Sequence, residues 1–295
     1  MASLNKEIWV NQILEGFYPD SSFLKYTKDF SGLVEVEYDK INMAEAGIDP
    51  KVLINNTTYP INVVQRIDKP ISIELDKFET ENTLIRRPEV IEYSYDQLES
   101  VIRGHRQSLR AKTAEKAAHA FAPQKDGDFT PVIKTTGEAV NGRKRLTFEN
   151  ILELKSRFDS VDIPLEERYL VLAPEHVTDL LMEDLKLFKD LTNIKDGKPF
   201  NFAGFYMLQF SRVPKYELKS EAFEKITFGT ESESKNFASF AFQADEVMKA
   251  DGETYMYATE NDAKERGTIV GFDKRFIAVP MRNMGIGAIV SDSAE

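Results

Sequence analysis

His105, His119 and His176 are the only imidazoles in this chain. They lie far apart, and no carboxylates stand around them at the spacing of a metal triad, so each reads as a residue packed on a helix face. Asp126-Gly127-Asp128 opens like a calcium loop. Such a loop needs further oxygen ligands and a glutamate at its twelfth position, and counting from Asp126 that position is Gly137, with Glu138 one late. The stretch reads as a solvated turn. Glu166 and Glu167 are adjacent, which aims them apart on any regular element, whereas a general acid and base must converge on one bond. They read as surface charges. The chain has no glycine-rich phosphate loop with a following lysine, no Gly-x-Ser-x-Gly elbow and no His-Glu-x-x-His. These absences weaken an enzyme reading, of which a soluble enzyme using Glu or Asp in a cleft is the surviving form. The basic cluster Arg143-Lys144-Arg145 lacks interleaved aromatics, so it does not read as a stacking platform for single strands.

The whole composition bounds the alternatives further. A chain of 295 residues makes one large or two modest domains with a substantial core. The absence of cysteine excludes disulfides, thiolate metal sites and cysteine nucleophiles together. A net charge of -11 argues against broad wrapping of nucleic acid, because neutralising phosphates takes concentrated Lys and Arg; it does not argue against enclosing it. No apolar run is long enough to cross a bilayer, and Met1 to Glu15 lacks the basic start and apolar core of a secretory signal, so synthesis and residence in the cytosol are expected.

The elements that must position these residues centre on one long amphipathic helix. From Tyr95 to Phe121, Tyr95, Leu98, Ile102, His105 and Leu109 recur at steps of three and four, with Arg103, Arg106, Arg110, Lys112 and Lys116 on the other face. Ser94 with Gln97 predicts a capping box at its start, and Pro123 ends it. At ~1.5 Å per residue it is roughly 40 Å long, a spine for the fold. Gly104 in its middle marks a bend or a close contact.

Before the spine, Trp9, Ile13 and Phe17 lie four apart on a short helix, followed by Phe23, Leu24, Tyr26 and Phe30. This apolar N-terminal arm needs a partner surface, in its own subunit or on a neighbour. Val34, Val36 and Tyr38 alternate with glutamates and predict a strand over Gly32 to Tyr38. From Lys40 to Lys69 the pattern weakens through Ile54, Asn55-Asn56-Thr57-Thr58, Tyr59-Pro60 and Val63, and alternation returns at Ile71, Ile73 and Leu75. Two strand arms around a polar stretch predict a long hairpin-like extension. After the spine, turn signals between Gln124 and Arg145 mark an internal boundary. A second helix is expected from Thr147, closed by Ile163-Pro164, then a strand at Tyr169 to Leu172 and a helix at Pro174 to Leu187. Strands are expected at Phe202 to Phe210, Phe237 to Phe242, Thr254 to Ala258, Thr268 to Phe272, Arg275 to Val279 and Ile286 to Val290. No strand-helix-strand alternation runs through the chain, so the expected class is mixed α+β.

This order of segments resembles the major capsid proteins of tailed phages with the Hong Kong 97 fold, also used by encapsulin shells. The most specific stretch is Pro164-Leu165-Glu166-Glu167-Arg168-Tyr169-Leu170-Val171-Leu172-Ala173-Pro174-Glu175, which looks like a passage common in the family's axial domain. Phe202-Ala203-Gly204-Phe205 with Ser211-Arg212-Val213-Pro214 looks like the strand and Val-Pro turn that follow it. The resemblance implies an α+β capsid fold with an N-terminal arm (1–31), a strand and extended loop (32–80), a peripheral domain with the spine helix (81–123), an axial domain (124–253) and return strands (254–295). It implies a structural, non-enzymatic subunit without cofactor or metal, forming pentamers and hexamers of an icosahedral shell around double-stranded DNA without reading its sequence. An encapsulin-like container is the near alternative. Portal, scaffolding and decoration proteins are the partners the family offers, with no membrane, and the location implied is the virion, assembled in the host cytoplasm. The residues expected at intersubunit contacts are Trp9, Ile13 and Phe17 on the arm and Ile54, Tyr59 and Val63 on the loop.

Overall fold

The computed structural model describes residues 23–34, 40–45, 52, 54–61, 69–183, 192–193, 198–199, 201–220, 222–230 and 236–293. The spine helix, α1, is Arg87–Phe121. It begins earlier than Tyr95, and the predicted Ser94–Gln97 box lies inside it. Pro88 sits in the first turn, where its missing N–H has no intrahelical partner to lose, and Arg86 before it is extended with no side-chain cap. At the other end Ala122 is extended (φ -88°, ψ 137°), as a residue preceding proline prefers. Gly104 is not a close contact: a Cβ there would meet nothing within 4 Å.

α1 lies on a five-stranded sheet built around the antiparallel pair Val247–Asp262 and Gly267–Pro280. The second of these takes Asp76–Glu79 and Thr83–Arg86 on its far edge, and the first takes the short parallel strand Lys28–Asp29. Ile102 and Leu109 of α1 close over Met256, Val270 and Phe272. Thr268–Phe272 and Arg275–Val279, expected as two strands, are one.

A six-stranded sheet forms the second layer, in the order Asn201–Phe202, Phe205–Gln209, Arg168–Leu172, Ala238–Gln243, Ile286–Val290, Val132–Lys134. Its central strand Arg168–Leu172 is buried throughout. Alternate side chains feed opposite cores, as the period of two requires. Leu170 and Leu172 pack with helices α2 (Phe148–Asp159) and α3 (Pro174–Glu183), whereas Tyr169 and Val171 pack with Phe240, Phe242 and the end of α1 at Ala117, Ala118 and Phe121. α2 starts where its sequence says: Asn150 N–H donates to Thr147 Oγ1 and Thr147 N–H to Asn150 Oδ1 (3.1 Å). Gly287 lets it approach the sheet, since a Cβ there would stand 2.9 Å from Leu154 and Phe158. The apolar run Phe202 to Phe210 is not one strand but a tight hairpin, turned through Ala203 and Gly204, both at positive φ (50° and 84°).

The extended hairpin pairs Lys40–Glu45 with Lys69–Glu74, from Lys40 opposite Glu74 to Glu45 opposite Lys69. Of the strand predicted over Gly32 to Tyr38, the described residues Gly32 and Leu33 are not extended. Ser31–Leu33 is a 3-10 turn instead, because the Asp29 carboxylate accepts from Ser31 N–H (2.9 Å) and bends the chain there; residues 35–39 lie outside the described residues.

Candidate assembly interface

Beyond the hairpin arms the loop presents apolar side chains to solvent: Val52 is 87% exposed, Ile54 85% and Tyr59 74%, with Ile61 also exposed. Asn56 holds the turn between them, its side chain accepting from Thr58 N–H (3.1 Å) and donating to Thr58 O (2.8 Å). Three large apolar groups this exposed on one loop need a surface that the described residues of this subunit do not give them. Ile54 and Tyr59 are thus placed together on the loop, while Val63, Trp9, Ile13 and Phe17 lie outside the described residues.

The last turn of the predicted arm has its partner in its own subunit. Phe23 is buried edge-on among Phe121, Phe210 and Phe240, with ring centroids 5.9, 5.4 and 5.3 Å away, and Tyr26 stacks on Tyr169 at 4.5 Å. Lys28–Asp29 then adds to the sheet beside Met248 and Lys249.

The groups singled out for chemistry are held in structural roles. Asp126 accepts from Val132 N–H (2.8 Å) and from Arg157 (3.2 Å), which also reaches Gly127 O, so the turn is closed by protein donors. Glu166 and Glu167 are exposed. In the basic cluster, Arg143 makes a bidentate pair with the buried Asp179 (2.6 and 2.9 Å) and Lys144 pairs with Asp292 (2.7 Å). His105 is buried against Phe272, with centroids 5.1 Å apart, and His119 Nε2 lies 2.7 Å from Ile226 O.

His176 makes a pair that no sequence spacing announces. Its Nδ1 lies 2.6 Å from Ser239 Oγ, which accepts from Ala173 N–H (3.0 Å) and so has its own proton to give the imidazole. A serine–histidine pair suggests nucleophilic catalysis, but both residues are wholly buried, His176 on α3 and Ser239 on the strand Ala238–Gln243, and Asp179 is engaged by Arg143, so no substrate carbonyl can reach the hydroxyl. The pair is a core hydrogen bond. Burial pushes the His176 pKa down to about 3, with Arg143 lowering it further and Asp179 opposing. The unfolded chain takes up a proton near pH 6.5 that the folded chain refuses until about 3, so stability is level above about pH 6.5 and falls as the pH drops below it. His105 and His119, also lowered chiefly by burial, act in the same direction. The urea midpoint of the subunit should fall between pH 7 and pH 5, before carboxylates titrate, and His176→Gln should flatten that slope. An unchanged wild-type midpoint over this interval would contradict the buried neutral imidazole.

Three further buried side chains have roles that residue spacing does not announce. Lys225, on the strand Ala222–Lys225, donates its ammonium to the carbonyls of His119 and Ala122, and Tyr216 OH donates to Pro123 O (2.5 Å). These carbonyls at the end of α1 have no helical donors, and a cation suits the negative end of the helix dipole. Burial lowers the Lys225 pKa to about 8. Arg168, wholly buried, donates Nε to Pro164 O (2.8 Å), Nη2 to Ile163 O and Nη1 to Asp159 (2.7 Å), with its guanidinium over the Phe158 ring. Their acceptors are mostly backbone carbonyls, which leave no mark in a sequence.

No protein-family model and no curated protein matches the chain. Solved structures do. The capsid of cyanophage P-SCSP1u superposes with a TM-score of 0.66 at 14% identity, over 94% of this chain and 90% of that one. The capsid of the empty GTA particle gives 0.63 at 11% identity, over 94% and 98%. Cyanophage Pam1 gives 0.63 at 11%, over 91% and 88%. The fold is that of tailed-phage capsid proteins, the Hong Kong 97 fold expected from the order of segments.

Proposed function

We propose that the chain is the structural subunit of a tailed-phage capsid: copies form pentamers and hexamers, and these close an icosahedral shell around double-stranded DNA. The observation that carries this reading is the likeness of fold to phage capsids over nearly the whole chain. A partial match would leave room for a domain borrowed by another function; here the extended hairpin has a use in the shell, where side chains too exposed in one copy are buried on the next and symmetry repeats the contact. The five-part division of the chain into arm, loop, peripheral, axial and return segments belongs to the same proposal, with Trp9, Ile13, Phe17, Ile54, Tyr59 and Val63 as contact residues. Portal, scaffolding and decoration proteins are its proposed partners.

Analytical sedimentation and negative-stain microscopy of the purified chain test the reading: rings and shells in the megadalton range support it, and a monomer under all conditions refutes it. Deleting Ile54 to Val64 should leave a subunit with a wild-type circular dichroism spectrum and thermal midpoint that no longer assembles; shells at normal yield would remove the loop from the interface.

DNA would be held loosely. With the chain at -11 and Arg143 and Lys144 of the basic cluster in ion pairs, the chain has no excess of cations with which to release counterions from phosphates. Free subunits should bind duplex very weakly at physiological salt, with no base-sequence preference. Tight, sequence-dependent binding in a gel-shift titration would overturn both the loose-contact picture and the shell reading.

A further inference from the structure

Strand Val247–Asp262 is paired along one side with Gly267–Pro280. Its other side is occupied only at its start among the described residues. Met248 and Lys249 pair with Lys28–Asp29, Phe30 N–H donates to Lys249 O (2.9 Å) and Asp251 N–H to Ser31 Oγ (2.9 Å). The arm then turns away through Ser31–Leu33, and the register shifts between Asp251 and Thr254. Which backbone groups face outward beyond that point follows from the neighbouring strand. Phe272 O accepts from Thr80 N–H (2.9 Å) and Phe272 N–H donates to Thr80 Oγ1 (3.0 Å), so both its polar groups point away from Met256, its direct partner. Met256 is therefore in a non-hydrogen-bonded pair, and its own N–H and C=O point to the open edge; Thr254 and Ala258, two residues to either side, do the same.

We propose that this open edge, Thr254 to Thr259, is a strand-addition site for a second copy of the chain. The proposal rests on the shell reading. Natural edges are usually blunted by charge, proline or a bulge. Here the register shifts at Asp251/Thr254 and Thr259/Asp262 and the charges of Glu253, Glu260 and Asp262 all lie outside the segment. Between them Thr254-Tyr255-Met256-Tyr257-Ala258-Thr259 has no charge and no proline, and is rich in residues that favour strands. Tyr255 and Tyr257 stand on the face away from α1, about half exposed, ready to cover an added strand. Two observations make the occupant another copy. The fold already adds a strand of this same chain, Lys28–Asp29, to the start of this edge, and that strand ends in the turn at Ser31–Leu33. The chain also carries, at Val52 and Ile54, apolar side chains exposed on its extended loop, which a copy would bring to the edge.

Ala258→Pro removes one outward N–H while leaving the pairing with Gly267–Pro280 intact, as proline is tolerated on an outer edge. The variant should keep the wild-type circular dichroism spectrum while its shell yield drops at least tenfold. Tyr255→Lys, which alters only an exposed side chain, should do the same and serves if the proline variant does not fold. A photoreactive benzoylphenylalanine at Tyr255 in the full chain should crosslink to a second copy, with the joined peptides identified by mass spectrometry. Wild-type shell yield from both folded variants, or crosslinks confined to one chain or made to a different protein, would overturn the proposal. If the wild-type chain forms no shells at all the shell reading fails separately, and the crosslink in whatever oligomer exists then decides the edge: a two-chain product keeps it, none removes it.

Discussion

Replacing Arg168 with methionine should destabilise the subunit by about 3 kcal/mol, seen as a lower urea midpoint with an unchanged slope. Methionine has similar length and keeps the contact with Phe158, so the loss isolates the guanidinium. Wild-type Arg168 uses its planar fork on three acceptors at once, the carbonyls of Ile163 and Pro164 and the Asp159 carboxylate, and by doing so ties the loop after α2 to the start of the central strand. Removing it orphans the buried Ile163 carbonyl, at a cost of about 1–3 kcal/mol, and takes a donor from the Pro164 carbonyl, which lies on an exposed residue and regains water in part. Asp159 is about a third exposed and retains Lys155, so it recovers part of its hydrogen bonding, which keeps the sum toward the lower end of what breaking a buried pair costs. Arg168→Lys should recover less than half, because an ammonium cannot span acceptors arranged around a plane. A loss under about 1 kcal/mol for the methionine variant would mean the loop closes without the arginine.

The same residue shows where sequence reading reached and where it stopped. Pro164 to Glu175 stood out as a passage, and Tyr169 to Leu172 was legible as a strand from its apolar run, but the reason for an arginine at its start lies in carbonyls that any sequence supplies. The start of α2 at Thr147 was legible from the apolar pattern, whereas its capping box with Asn150 emerged only in the structure. The start of α1 was not: Ser94 and Gln97 carry the cap pattern, yet Pro88 fits a first turn without one, and the strand Thr83–Arg86 leads straight into it. Alternation at Val34 to Tyr38 predicted a strand at its start, where the Asp29 side chain made a turn. Ile54 and Tyr59 were found as loop residues through weak patterning, and both are exposed. Ser239 with His176 and the open edge at Met256 could not be found in this way, since one depends on a helix packed on a strand far away in the chain and the other on which strand lies outermost.

Phe23→Ala should cost the isolated subunit about 3–4 kcal/mol, a loss of the size expected for removing a fully buried aromatic ring. Phe23 contributes apolar area and also edge-to-face contacts with Phe121, Phe210 and Phe240, so its cavity would open where the end of α1, the six-stranded sheet and the Phe210 loop meet. Those neighbours are held by their own strands and by Lys225 and Tyr216 at the end of α1, which limits how far they can collapse into the space. The arm is thus divided by a physical criterion. From Phe23 onward it belongs to the core of its own subunit, whereas the contact proposed for Trp9, Ile13 and Phe17 would make the earlier part of the arm a clamp on a neighbouring subunit. A ten-residue helix cannot hold itself in water, so burying those three side chains on a neighbour would couple their ordering to assembly. The expected contrast is sharp: Phe23→Ala lowers the urea midpoint of the free subunit, and Trp9→Ala with Phe17→Ala leaves it nearly unchanged while weakening assembly. Trp9 is the only tryptophan, so its emission should be red-shifted in free subunits and move to the blue as shells form. Equal loss of midpoint in the two variants would place the whole arm on its own subunit and end the clamp; no loss in Phe23→Ala would mean that the aromatic cluster holds without its first ring.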